Sequence, residues 1–244
     1  MLTIFPDNPP EYVTLTATHG VPPAAVSIYK GRNEVFALQT ESGQEVNIKS
    51  FHKPRFPNSF IYTNFRQSKA RRSYINARRL LSLGFHTPQP IAYVEEKQSG
   101  LLRRSYYFCR QVPFRNVRNW TTIPDYKQLI EELGAEMHRL MTKGVFHRDF
   151  SPGNILFERL DNGHFRFYYV DLNRMEFNVT SRKKLMRMFR AITLDHEELK
   201  PLAAAYARAA GLPVEATVSE ALRQLDNYLA QKRRLRKLKS LFKR

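Results

Sequence analysis

At 244 residues the chain can bury a sizeable core, as one two-lobed unit or two small domains. Lys and Arg number 40 against 22 Asp and Glu, giving a net charge of +18. That excess attracts polyanions: nucleic acid, anionic lipid surfaces, or phosphorylated and acidic sugars. A single cysteine, Cys109, excludes an internal disulfide and a cysteine-based zinc site, and fits a reducing compartment. The opening residues, Met1 to Asp7, have no basic stretch and no long apolar run, so no signal peptide is expected. No apolar run is long enough to span a bilayer, and a cytoplasmic location is expected.

The first third reads as β-rich. Strands are expected over 26–29 and 35–39 around a turn at Gly31, and over 45–51 after a turn at 40–44. In the last of these, Val46 and Ile48 share one face, and Asn47, Lys49 and Phe51 share the other. A lysine projecting from such a strand beside a nucleotide would contact phosphates as a compact cation. The spacing of Ala70, Tyr74, Ala77 and Leu81 predicts a helix over 66–83. Arg71, Arg72, Arg78 and Arg79 lie off that stripe, as a solvated face or an anion-binding surface. Gly84 marks the stop, followed by a turn at 87–90. Between Val46 and Val94 there is no Asp or Glu.

Strands are also expected at 93–94 and 106–108. A connector over 111–119 divides an N-terminal lobe, 1–112, from a C-terminal lobe, 113–244. The stripe Leu129, Leu133, Met137 and Leu140 predicts a core-facing helix over 125–142, stopped at Gly144. Further helices are expected over 181–193, 197–210 and 218–242. Residues 231–244 hold many cations and no acid. With the leucines at near-helical spacing, that stretch is either a helix lying on an anionic membrane or a packed helix ending in a solvated tail. His52, His86, His138 and His196 have no metal-ligand spacing.

Residues 147–171 carry the chemistry. His147-Arg148-Asp149 is followed by Asn154, an apolar strand from Ile155, a turn at Asp161-Asn162-Gly163, and a second strand running into Asp171. ATP-dependent phosphoryl transfer uses such a set. One carboxylate orients and deprotonates the attacking hydroxyl, while an amide and a second carboxylate hold Mg²⁺. The tight Pro152-Gly153 loop brings Asp149 and Asn154 to one mouth, and an antiparallel hairpin would return Asp171 towards them. The alternative is an ordinary loop and hairpin with scattered polar residues.

With these residues in view, the chain resembles the protein-kinase-like superfamily, and within it the bacterial lipopolysaccharide kinases of Kdo and heptose type. The resemblance runs from about residue 28 to 188. It implies an α+β, bilobed protein-kinase-like fold with a small β-rich N-lobe and a mainly helical C-lobe. It implies that Asp149 is the catalytic base, that Asn154 and Asp171 bind Mg²⁺, and that Lys49 and the loop at Gly31 bind ATP phosphates. The cofactors would be ATP and Mg²⁺, and the acceptor a sugar hydroxyl, in the lipopolysaccharide inner core. Ser151 stands where protein kinases have lysine, and no Ala-Pro-Glu follows Asp171. Kinase folds pair the phosphate lysine with a helix glutamate. Here Lys49 would have to use Gln67 or Asn76, a distant acid, or the nucleotide alone. A pseudokinase or nucleotide-binding module without turnover, and an atypical protein kinase, are the rival readings. The charge admits nucleic acid, but no nucleic-acid motif is present.

Overall fold

The computed structural model describes residues 1–51, 67–99 and 101–241, the side chains of 239 and 241 excepted. His52, Arg66 and residues 242–244 lie outside the described residues. The chain divides into two compact units, Met1–Pro113 with Tyr169–Arg174, and Phe114–Tyr168 with Met175–Arg244.

The first unit is an antiparallel sheet with a helix on each face. Its strands are β1 (Leu2–Phe5), β2 (Val26–Lys30), β3 (Asn33–Gln39), β4 (Glu45–Phe51), β5 (Pro90–Gln98) and β6 (Leu101–Arg110). They lie in the order β1-β5-β6-β4-β3-β2. The alternation in β4 sets the two faces. Val46 and Ile48 join Leu38, Ala92, Val94, Phe108 and the residues Val13 and Ala17 of α1 (Glu11–His19) in one apolar cluster. Lys49 points to the other face. There Tyr93 meets Tyr74 of α2 (Lys69–Ser82), with ring centroids 5.6 Å apart.

Helix α2 starts where its sequence supplies a cap. The Ser68 hydroxyl accepts from the Arg71 N–H at 3.0 Å, and the buried Glu95 carboxylate accepts from the Ser68 N–H at 3.3 Å. It ends in a Schellman motif. Gly84 takes φ +80°, its N–H donates to Leu81 O, and the Phe85 N–H donates to Leu80 O. That motif brings the residues at its two ends into apolar contact. Leu80 and Phe85 are both buried, so Leu80 rather than Leu81 completes the stripe.

The second unit is mainly helical. Helix α3 (Tyr126–Thr142) buries Leu129, Leu133, Met137 and Leu140 completely. It stops in the same way as α2, with Gly144 at φ +64° and the Val145 N–H donating to Leu140 O at 2.8 Å. Within 111–119 a short strand forms, β7 (Arg115–Asn116), which pairs with β9 (Ile155–Arg159). β10 (Phe165–Tyr169) completes that sheet, and β8 (Phe146–His147) pairs with β11 (Met175–Glu176).

The helix expected over 181–193 is in pieces: α4 (Arg182–Leu185), a 3₁₀ turn at Met186–Met188, and α5 (Phe189–Ile192). Leu185, Met186, Met188 and Phe189 are all buried. One straight helix cannot aim such a run to one side, and the tighter turn resets the register. Helix α6 (His196–Ala210) lies so close to α3 that a Cβ on Gly134 would stand 2.5 Å from Ala205 Cβ. The last helix, α7 (Val214–Leu241), buries Thr217, Ala221 and Leu225 and exposes its final turns. Among the described residues no helix is long and apolar enough to cross a membrane.

Candidate active site

In the first unit, strand β4 and the segment after β10 assemble one cluster. Lys49 Nζ donates to Asp171 Oδ1 at 2.7 Å. The Asn173 amide donates to the same oxygen at 2.6 Å. Asp171 has φ +58°, the left-handed region that costs most residues strain but that Asp tolerates better than most. Its neighbours are tied down to hold it there. The Asn76 amide of α2 donates to Leu172 O at 2.7 Å, and the Tyr169 N–H donates to His86 O at 3.0 Å. Lys49 therefore pairs with a distant acid. Neither neutral candidate serves: Asn76 holds the backbone beside Asp171, and Gln67 is exposed.

The second unit carries the His147-Arg148-Asp149 motif and Asn154. His147 on β8 is buried and accepts the Asp149 N–H on Nδ1 at 3.2 Å, which leaves the ring proton on Nε2. Phe150 is buried beside it, with ring centroids 6.0 Å apart. The Asp149 carbonyl accepts from the Ser151 N–H at 2.8 Å and from Asn154 Nδ2 at 2.9 Å. These bonds fold the loop so that the Asp149 carboxyl is exposed and Asn154 keeps Oδ1 for another partner.

Gly31 lies in the turn between β2 and β3. Its N–H donates to Asn33 O at 3.1 Å, and a Cβ there would stand 2.6 Å from the Tyr29 hydroxyl. Asn47 turns to Gln111, donating to its Oε1 at 2.7 Å. Cys109 is buried, and burial pushes its thiol up to about 12, so it is not a nucleophile.

One cation went unassigned in the sequence. Lys69, in the first turn of α2, stands over the Phe51 ring at 5.7 Å, and Lys49 stands over the same ring at 5.5 Å. Burial and the Arg32 guanidinium hold the Lys69 ammonium below its usual value, with Arg72 and Lys49 adding to the fall and Asp171 opposing it. Where a kinase helix offers a carboxylate, this one offers a cation. The signal was the missing acid between Val46 and Val94; what it could not give was the lysine's direction.

The lipopolysaccharide kinase (Kdo/WaaP) family model matches residues 26–206. No curated protein matches the sequence. Among solved structures, a WaaP protein in complex with acyl carrier protein is 16% identical, with 96% of this chain and 99% of that chain covered and a TM-score of 0.59. An amicoumacin kinase, solved with AMP-PNP, Ca²⁺ and amicoumacin, is 15% identical over 84% of this chain and 73% of that one, with a TM-score of 0.51. The Rio2 kinase of Chaetomium thermophilum, solved as an ADP/Mg²⁺-phosphoaspartate complex, is 18% identical over 88% of this chain and 74% of that one, with a TM-score of 0.48. The WaaP and amicoumacin kinase structures establish a protein-kinase-like fold: an N-terminal antiparallel sheet followed by a helical C-terminal region. The family match covers well over half of the sequence, and the chain belongs to the lipopolysaccharide kinase (Kdo/WaaP) family.

Proposed function

We propose that Asp149 takes the proton from a sugar hydroxyl of a lipopolysaccharide precursor while ATP, held with Mg²⁺ by Lys49, Asp171 and Asn154, gives up its γ-phosphate. Membership of the family makes the chain a phosphotransferase acting on a sugar hydroxyl. The observation that carries the residue assignment is the Lys49–Asp171 pair, formed between positions 122 apart in sequence. It joins the phosphate-binding cation to a metal-binding carboxylate.

The donor set fits Mg²⁺. That ion takes oxygen ligands, keeps several waters, and uses one or two carboxylates plus substrate phosphates. Asp171 offers a carboxylate and Asn154 an amide oxygen. When bound, the metal neutralises charge developing on the transferred phosphoryl oxygens. Lys49 supplies a fixed positive charge to the same oxygens. Asp149 orients the acceptor hydroxyl and removes its proton, which general-base catalysis rewards by about 10²–10⁴ in rate. Residues 172–180 between Asp171 and the Ser181 cap are few, which favours a small acceptor over a peptide. The test is transfer from ATP to lipopolysaccharide precursors with Mg²⁺, followed by mass, with Asp149→Ala as control.

Lys69 is a second phosphate contact in this reading. Lys69→Ala is expected to raise the KM for ATP about tenfold, the scale of one charge-assisted hydrogen bond, and to change kcat less. Steady-state kinetics at varied ATP decides it, and an unchanged KM removes Lys69 from the nucleotide site.

A cytoplasmic enzyme resting on the inner membrane surface completes the proposal. Helix α7 continues through its basic end, where Leu235 and Leu238 are each 51% exposed among Arg233, Arg234, Arg236 and Lys237. Each such cation near an anionic surface contributes on the order of 1 kcal/mol. Removing residues 231–244 is expected to abolish flotation with phosphatidylglycerol vesicles, and flotation equal to that of the full chain would discard the membrane role.

A further inference from the structure

The sheet face that carries Lys49 has a charged end and an uncharged one. Residues directly opposite each other on paired strands share a face. One row across that face is therefore Val26, Ala37, Asn47 and Cys109, and the next is Val35, Lys49 and Tyr107. The rows lie two residues, roughly 7 Å, apart along β4. Beyond Lys49 comes Phe51, over whose ring both Lys49 and Lys69 stand, at 5.5 and 5.7 Å. A nucleotide whose phosphates meet Lys49 thus directs its triphosphate towards the cations at Phe51 and its base towards Asn47, where the row carries no charge. Val26 is 65% exposed there and Ala37 is half-buried, so an apolar seat lies beside Asn47.

The Asn47 amide is held in one orientation. The Val112 carbonyl can only accept, and Gln111 Nε2 donates to it at 3.2 Å. Gln111 therefore turns Oε1 to Asn47, whose Nδ2 donates to it at 2.7 Å. The Gln111 backbone is tied down as well, its N–H donating to Glu45 O at 2.9 Å. An amide nitrogen carries two N–H groups and only one is used here, so Asn47 keeps a donor and its Oδ1 acceptor on one side chain. That combination matches N7 and the 6-amino group of adenine. It mismatches guanine, which presents acceptors at both N7 and O6.

We propose that Asn47, held by Gln111, reads the N7 and 6-amino edge of the base and makes the chain select ATP over GTP. The inference rests on the reading of Lys49 as the phosphate-binding lysine and adds to it a residue that determines base specificity. Asn47 contacts the base, and Gln111 is a positioning residue that acts through Asn47. Neither moves a proton.

Calorimetry with ATP, GTP and 7-deaza-ATP, each with Mg²⁺, tests this on the full chain, with thermal melts to verify that the variants fold. The wild-type chain is expected to bind ATP at least about tenfold more tightly than GTP. It should bind 7-deaza-ATP, in which a C–H replaces N7, about fivefold more weakly than ATP. In Asn47→Ala both differences should shrink to within about twofold. A purely structural loss would instead weaken all three nucleotides alike and keep their ratios. Gln111→Ala frees the Asn47 amide to turn over and should lose part of the preference; an undiminished preference in it removes Gln111 from the proposal. Ratios unchanged in Asn47→Ala overturn the base site, as does a wild-type chain that binds the three equally, and both results leave the kinase reading standing. A wild-type chain that binds none of them removes the phosphate assignment and the base site together. Because the readout is binding, a chain that holds ATP and transfers nothing still decides the site: ratios that collapse in Asn47→Ala keep it and remove the kinase mechanism alone.

Discussion

Asp149→Ala is expected to lower phosphoryl transfer by at least about 10³-fold, within the range that general-base catalysis supplies, and to leave ATP binding nearly intact. The loop around Asp149 explains why this substitution isolates chemistry from folding. Its frame is built from the backbone of residue 149: the N–H goes to His147 Nδ1, and the carbonyl accepts from Ser151 and Asn154. The carboxyl is exposed and has no hydrogen bond among the described residues. Removing it therefore costs the fold little, within the roughly 0.5 kcal/mol typical of surface changes. The measurement is product formation at saturating ATP and acceptor, beside nucleotide binding by calorimetry. Transfer by Asp149→Ala at the wild-type rate would remove Asp149 as the base.

Local patterning made much of the scaffold legible. The period of two in β4 separated Lys49 from Val46 and Ile48, and the stripe of α3 named four residues that are fully buried. Gly84 and Gly144 read correctly as helix stops, because a left-handed residue after the last turn leaves a signature in the sequence itself. What stayed hidden depends on pairing across long stretches of chain. Strand β1 is four residues long and finds its place only by pairing with β5, Leu2 opposite Glu96. Nothing local marks so short an edge strand.

The partner of Lys49 is the same kind of problem. The missing helix carboxylate was plain, but the acid that replaces it arrives from the far side of the β9–β10 hairpin. Asn76 had the right composition and the wrong target, since a backbone carbonyl at Leu172 claims its amide. The break in the segment read as one helix over 181–193 was hidden for another reason, since its division into turns is a response to packing.

Asp171 yields the second large effect, and a pair of substitutions separates its two roles. Both Asp171→Asn and Asp171→Ala remove the charge that Lys49 and a metal would share, and both are expected to lower transfer on the order of 10³-fold. They differ in the backbone. Residue 171 sits at φ +58°, where Asn is tolerated and Ala is strained. Ala also strips the Asn173 amide of its acceptor, whereas the Asn side-chain oxygen can still receive it. The Lys49 pair itself adds little to that difference, because both substitutions remove the carboxylate charge that Lys49 pairs with. Thermal melting should therefore place Asp171→Asn near the wild-type chain and Asp171→Ala about 1–3 kcal/mol lower, from strain of that order. For a chain of this size each kcal/mol is about 2–4 °C. Equal melting points with equal losses of activity would mean that the left-handed backbone is not under strain. Full activity in Asp171→Asn would mean that the carboxylate holds no metal, and that its bond to Lys49 only ties β4 to the segment after β10.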